Sequence, residues 1–411
     1  MSNIKMKKDN SLVLIFLAWL VYTTSYLGKV NYSANITQIV DFYNITKAEA
    51  GLVPSFFFFA YGIGQVVNGI LCKRYNIKWM VFISLALSGG INLAIAMATD
   101  FSIVKWLWMA NGFLLSILWP TLIRLLSEQL PTEYLSKSSV IMGTTVASGT
   151  FVIYALSSMY VSIGNFKLAF YTAAFAAITV SLIWLMSFGK IADRSKKQAA
   201  EKSIDKPKTE NVSQKHSVIA IICVLCFSAI GVNLIKDGLT TWIPSILKEE
   251  GSVPDYLSIL LTLSLPVVAI FGNAFALAVH KKISNYVIHC LVIFFAMALI
   301  IAMVIGILSI KLVAIMLLGL VVVNLFASSL NSLITSIFPM FMRKEVNSGK
   351  MAGVLNGFCY LGSTISSYGL GALADNFGWS AVFWCLLGTC VLISLVCGMY
   401  IIYQRINNTE F

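Results

Sequence analysis

Along the 411 residues, long apolar runs alternate with short polar breaks, and the pattern occurs twelve times. The runs fall near 11–39, 50–71, 79–99, 102–127, 138–160, 166–188, 217–247, 256–279, 284–309, 312–340, 350–373 and 378–403. Crossing roughly 30 Å of hydrocarbon takes about 20 helical residues, so each run is long enough to span a bilayer. Segments such as 291–310 are apolar on every face, whereas strands of a lipid-facing barrel alternate apolar and polar side chains. The pattern predicts an all-α integral membrane protein of twelve transmembrane helices. Its domains are expected to be a six-helix bundle over 1–188, a linker loop over 189–216 and a second six-helix bundle over 217–411.

Composition removes the alternatives. The chain is 58% hydrophobic and only 11% charged, with a mean hydropathy of +0.85, where a soluble domain carries about 25% charged residues. The formal net charge of +12 suggests nucleic acid until the charges are placed. Both termini and the even-numbered breaks hold 21 Lys and Arg, the odd-numbered breaks hold 5. This asymmetry is a positive-inside signal: it predicts a multi-pass protein of the plasma membrane with both termini and the central linker cytoplasmic. The basic surplus is thus orientation, and the expected partners are the lipid bilayer and a small anionic substrate, with no nucleic acid. The first run lacks a small-residue cleavage site and is read as a retained helix. The linker, from Lys190 to Glu210, mixes basic and acidic residues and reads as a solvated connection, with contact to anionic lipid as a second reading.

All eight cysteines lie in or at the ends of apolar runs, so no disulfide framework is implied. Cys223 and Cys226 form a CxxC inside an apolar helix with no second pair, which reads as packing rather than metal binding. No cofactor is expected, and the chain is expected to act as a monomer.

Several features recur at a shift of roughly 205 to 220 residues. Lys29 sits 18 residues into the first run and Lys236 sits 19 residues into the seventh. Pro120 and Arg124 near the end of the fourth run are echoed by Pro339 and Arg343 at the end of the tenth. Parallel repeats about an axis normal to the membrane, with a site between them, are a recurring transporter plan.

The two lysines carry the chemistry. At about 1.5 Å per residue each lies roughly 27 Å along its helix, well inside the bilayer. A charge there costs at least about 2.5 kcal/mol and should face a cavity or a partner. Snorkelling to the far interface is the competing reading, but it must apply twice, at matched depth, in two helices that the repeat places across one cleft. Two ammonium groups facing that cleft repel unless an anion lies between them. Around them the helices are unusually polar: Tyr26, Asn31 and Ser33 in the first, Asn233, Asp237, Thr240 and Thr241 in the seventh. Lining an aqueous path explains the cluster, although any single Ser or Thr reads more readily as helix packing.

These segments resemble the major facilitator superfamily, and within it the organophosphate:phosphate antiporter branch. Residues 26–32 (YLGKVNY) are similar to that branch's first-helix motif, with Lys29 where an Arg binds substrate phosphate. Residues 236–249 are similar to its seventh-helix motif, with Lys236 at the second substrate Arg. Trp119, Pro120 and Arg124 match its WPxxxR pattern, and 371–379, including Asp375, resembles its turn between the last two helices. The likeness implies the major facilitator fold, substrate contacts from Lys29, Lys236 and Tyr26, and gating or structural roles for Trp119, Pro120, Arg124, Arg74 and Asp375; Asn233 and Asp237 join the expected substrate contacts from the polar cluster, Asp237 standing where the branch's glycerol-phosphate transporters have an aromatic residue. The branch's fifth-helix His, which contributes to phosphate binding, falls at Thr145 in an ungapped alignment. Of the superfamily motif after the second helix, Gly69 and Arg74 remain but Lys73 stands in place of Asp. Two lysines in place of two arginines cannot grip phosphate in bidentate fashion, so specificity is open.

The expected function is secondary transport of a small organic anion, an organophosphate or a carboxylate, by alternating access. The resemblance implies exchange against phosphate. A proton-coupled symporter of a carboxylate or sugar acid, using Asp237, is the alternative, and a membrane sensor of a sugar phosphate is the third. No nucleophile–base pairing argues for an enzyme.

Overall fold

The computed structural model describes residues 2–71, 76–192, 212–308, 310, 312–341 and 348–406. Arg74, Arg343 and most of the expected linker lie outside the described residues. Ten spans are separate helical stretches: α1 (Ser11–Ala34), α2 (Lys47–Asn68), α3 (Ile77–Met97), α4 (Phe101–Gln129), α5 (Glu133–Ser162), α6 (Lys167–Phe188), α7 (Ala220–Glu249), α8 (Asp255–His280), α9 (Tyr286–Leu308) and α10 (Val313–Ile337). The next stretch, Met351–Ile406, has 56 residues, which at 1.5 Å each would be about 84 Å long. It is two spans. Gly378 divides it with φ 76° and ψ 174°, a conformation only glycine takes without a steric penalty. The pieces are α11 (351–377) and α12 (379–406), which complete twelve.

The observed spans begin and end within a few residues of the apolar runs, but several are not continuous. The first run does not continue unbroken to 39: the helix stops at Ala34 and restarts as Ile36–Tyr43. α4 is interrupted at Ile117 and α5 at Thr144, and α10 ends in a π-turn over Leu333–Ile337. Pro120 accounts for the α4 break, because it has no N–H for the Ser116 carbonyl and its ring crowds that carbonyl. Gln65 of α2 donates to that carbonyl instead, at 3.1 Å. The same solution occurs twice more. Pro54 frees the Ala50 carbonyl, which accepts from Tyr32 Oη at 3.0 Å, and Pro244 frees the Thr240 carbonyl, which accepts from Tyr154 Oη at 3.4 Å. At membrane depth an unpaired carbonyl is costly, so each proline bend is held by a side chain from another helix.

The outer surface is apolar, as lipid contact requires: Phe175, Met186 and Ile402 are well exposed. Polar residues turn inward. Between α1, α3 and α4, Asn111 Nδ2 donates to the Gly28 carbonyl at 2.8 Å, Asn31 Nδ2 to Asn92 Oδ1 at 2.8 Å, and Ser88 Oγ to Asn111 Oδ1 at 2.6 Å. This network fixes α1 one residue before Lys29.

The seam between the six-helix halves is built chiefly by α2 against α11 and α5 against α8. Near the face opposite the termini, α2 and α11 touch backbone to backbone. A Cβ on Gly51 would overlap the Ser367 carbonyl, and one on Gly371 would press on the Lys47 carbonyl. Ser55 Oγ donates to the Thr364 carbonyl at 2.7 Å and accepts from Tyr368 N at 3.0 Å beside them.

Candidate functional site

A cavity of about 410 Å³ lies in the seam, and both Lys29 and Lys236 line it. Tyr26, Asn233 and Asp237 line it too, so five of the residues singled out in the sequence surround one space. The two lysines differ in their surroundings. Lys29 Nζ sits 4.1 Å from the ring centre of Tyr61, 4.9 Å from that of Tyr26, and just under 6 Å from those of Phe57 and Tyr360. Ring faces attract an ammonium by about 0.5–2 kcal/mol each without neutralising it. Among the described residues Lys29 has no carboxylate partner.

Lys236 does have one. Its Nζ lies 3.0 Å from Asp237 Oδ1, and Ser363 of α11 donates to the other oxygen. Neighbouring residues project about 100° apart on a helix, but the flexible lysine stem bridges that angle. The cavity therefore holds two ammonium groups and one carboxylate, a net charge of about +1 with every group ionised, and that charge rests on Lys29.

The other sequence candidates fall elsewhere. Thr145 is a correction: it is fully buried, its hydroxyl donates to the Met142 carbonyl at 2.5 Å, and it does not line the cavity. Its neighbours Val146 and Ala147 do. Trp119 packs on Tyr22 at 4.8 Å, and Tyr22 meets Tyr26 edge-on at 5.5 Å, so Trp119 braces the cage around Lys29 from behind, while Pro120 beside it sets the α4 bend. Arg124 pairs with Glu128 at 2.8 Å within α4. Asp375 lies at the opposite face, where its carboxylate accepts from Lys47 N at 3.1 Å and Ala48 N at 2.6 Å. A carboxylate at these unsatisfied N–H groups caps α2 and matches its dipole, and here the cap comes from the other half of the protein. Lys47 Nζ adds an ion pair to Glu249 at 3.1 Å, and Lys248 bridges Asp41 at 2.7 Å and Asp255 at 3.2 Å. The described hydrogen bonds and ion pairs between the halves cluster toward this face, which is closed.

Sequence reading missed three groups. Phe57, Tyr61 and Tyr360 of the cage sit in α2 and α11, where aromatic residues look like lipid-facing filler. Asn273, Asn331 and Asn356 also line the cavity, amides set in otherwise apolar stretches. The ion cluster at the closed face joins residues hundreds of positions apart. Among the described residues no group of three or more His, Cys, Asp or Glu is placed to hold a metal ion.

The twelve-helix plan and the charged cavity between halves point to a transporter, and comparison with known proteins decides the family. The Major Facilitator Superfamily model matches residues 18–349. The chain belongs to the major facilitator superfamily. Its fold is also that of solved members: a bacterial homologue of the human lysosomal transporter Spinster, inward-facing and occupied, superposes with a TM-score of 0.73 over 96% of each chain at 13% identity. A probable hexose phosphate transport protein of Chlamydia pneumoniae is 20% identical over 406 residues, covering 93% of this chain and 88% of the relative. The membrane sensor protein UhpC of Salmonella typhimurium is 26% identical over 114 residues, and the matched stretch spans about a quarter of that relative (26%). The relatives that match thus include one named for hexose phosphate transport and one named as a membrane sensor.

Proposed function

We propose that this chain is a secondary transporter that carries a small organic anion between Lys29 of one half and the Lys236–Asp237 pair of the other, alternating access by rocking the halves about the cavity. The observation that carries the reading is the Lys29 ammonium, without a carboxylate partner among the described residues and held in an aromatic cage at the seam. With the termini cytoplasmic, as the positive-inside asymmetry argues, the closed face is external and this state faces inward. An impermeant maleimide added to intact cells should then label Phe377→Cys, exposed at the α11–α12 turn, in a background without other cysteines. Labelling only after permeabilisation would invert the orientation.

Exchange suits the geometry, since Asp237 is occupied by Lys236 and Ser363 and no free carboxylate is needed to carry a proton. Inorganic phosphate in its singly charged form has the charge that the site complements. Uptake of labelled anion into proteoliposomes, with and without internal phosphate, tests this. Stimulation by internal phosphate supports exchange, a requirement for an imposed proton gradient supports symport, and saturable binding without uptake supports the sensor reading.

The net charge of +1 predicts a preference for monoanions. Asp237→Asn should shift relative affinity toward a dianionic phosphate ester over a monocarboxylate by about tenfold, the effect of one unit charge roughly 12 Å away at an effective dielectric near 20. Competition binding from pH 6 to 8 measures the ratio. An unaltered ratio would mean that Asp237 does not set the potential at the ligand.

A further inference from the structure

The two walls of the cavity have different chemistry. The first half supplies the Lys29 ammonium and most of the aromatic faces, Tyr26, Phe57, Trp108 and Tyr154, with Tyr360 of α11 added from the second half. The second half supplies amides on four helices: Asn233 of α7, Asn273 of α8, Asn324 and Asn331 of α10, and Asn356 of α11. Amides at membrane depth are costly unless something bonds them. Asn233 Nδ2 reaches the Ala229 carbonyl and Asn331 Oδ1, both at 3.2 Å. Asn324 donates to the Leu265 carbonyl at 3.0 Å, which leaves its Oδ1 without a partner in a residue only 2% exposed. Ser328 Oγ, one turn along α10, is likewise buried and unpaired. The side chains of Asn273 and Asn356 make no hydrogen bond among the described residues.

Unpaired acceptors distinguish ligand classes. A plain carboxylate or the doubly ionised phosphate of an ester only accepts hydrogen bonds and cannot satisfy Asn324 Oδ1. A hydroxyl both donates and accepts, as an amide does, so a row of amides complements a row of hydroxyls. The aromatic wall suits the C–H face of a carbohydrate, the single net charge suits one carboxylate, and 410 Å³ lies within the size of small-molecule sites. Resting on the anion site proposed above, we infer that the ligand is a polyhydroxylated monocarboxylate, a sugar acid, with its carboxylate at Lys29 and its hydroxyls along the α8, α10 and α11 amides.

Competition for one site separates the charge from the hydroxyls. D-gluconate and D-glucuronate carry one carboxylate and a row of hydroxyls, hexanoate carries the same charge on an apolar chain, and glucose 6-phosphate carries the hydroxyls with a dianion. Binding to the purified full-length protein should favour at least one sugar acid over hexanoate and over glucose 6-phosphate by tenfold or more. Asn356→Ala and Asn273→Ala should each lower the ratio of sugar acid to hexanoate affinity. Hexanoate or glucose 6-phosphate binding as well as both sugar acids would overturn the sugar-acid assignment and leave the anion site standing. If no anion bound, or Lys29→Ala bound all of them like the wild type, the anion site itself would fall, and this inference with it.

Discussion

Lys29→Ala abolishes anion uptake, while the protein still inserts and folds. The cage formed by Tyr26, Phe57, Tyr61 and Tyr360 is self-supporting, since Tyr61 packs on Tyr360 at 4.9 Å and on Phe57 at 5.7 Å without the ammonium. The damage falls on the ligand. Removing one partner of a buried, charge-assisted hydrogen bond costs about 2–5 kcal/mol, roughly a thirtyfold to several-thousandfold drop in affinity. Lys29→Arg keeps the charge and should retain part of the activity, which a neutral substitution of similar length, Lys29→Met, should not. Uptake and binding in proteoliposomes, with size-exclusion profiles as the folding control, measure the effect. Wild-type uptake by the Ala variant would remove Lys29 from the site.

A second large effect is expected from one methyl group. Gly51→Ala places a Cβ against the Ser367 carbonyl, so α2 and α11 can no longer meet at the closed face. Overpacking of this kind costs about 1–3 kcal/mol, and here the strain acts on one of two conformations. A two-state balance shifted by that amount moves roughly five- to 150-fold. Gly51→Ala, and Gly371→Ala beside it, should disfavour the inward-facing state and slow transport. Ser245→Cys, whose position is buried against Thr37 at 3.0 Å when the face is closed, reports the change as faster maleimide labelling. Gly90→Ala is the matched control, because its Cβ would meet nothing. Equal labelling of the Gly51 variant and the control would show that the seam tolerates the methyl.

The spans and the two lysines were legible in the chain because each rests on a cost that one helix must meet alone. Twenty apolar residues are needed whatever the neighbours, and a lysine at mid-depth is expensive whatever surrounds it. Features that depend on a second helix were not legible. Asn273 and Asn356 look like isolated polar residues until the fold sets them on one wall. The aromatic cage is indistinguishable in sequence from lipid-facing phenylalanine and tyrosine. Thr145 went astray for a geometric reason: one residue is a rotation of about 100°, enough to turn a side chain from cavity to core, and α5 is interrupted at Thr144. The π-turn at Leu333–Ile337 widens α10 directly after Asn331 and has no signature in composition.

The bend at Pro244 bears on what the protein exchanges with its surroundings besides its cargo. Tyr154 caps the Thr240 carbonyl from the other half, so the cap holds only while the halves meet at that level. Once they part, nothing in α7 can take its place, and hydrocarbon offers no donor. A solvent molecule must arrive instead. In the alternating-access cycle proposed above, each turnover includes uptake and release of water at that carbonyl, and solutes too large to enter the cleft should slow the cycle by osmotic stress even when they never touch the proposed anion site.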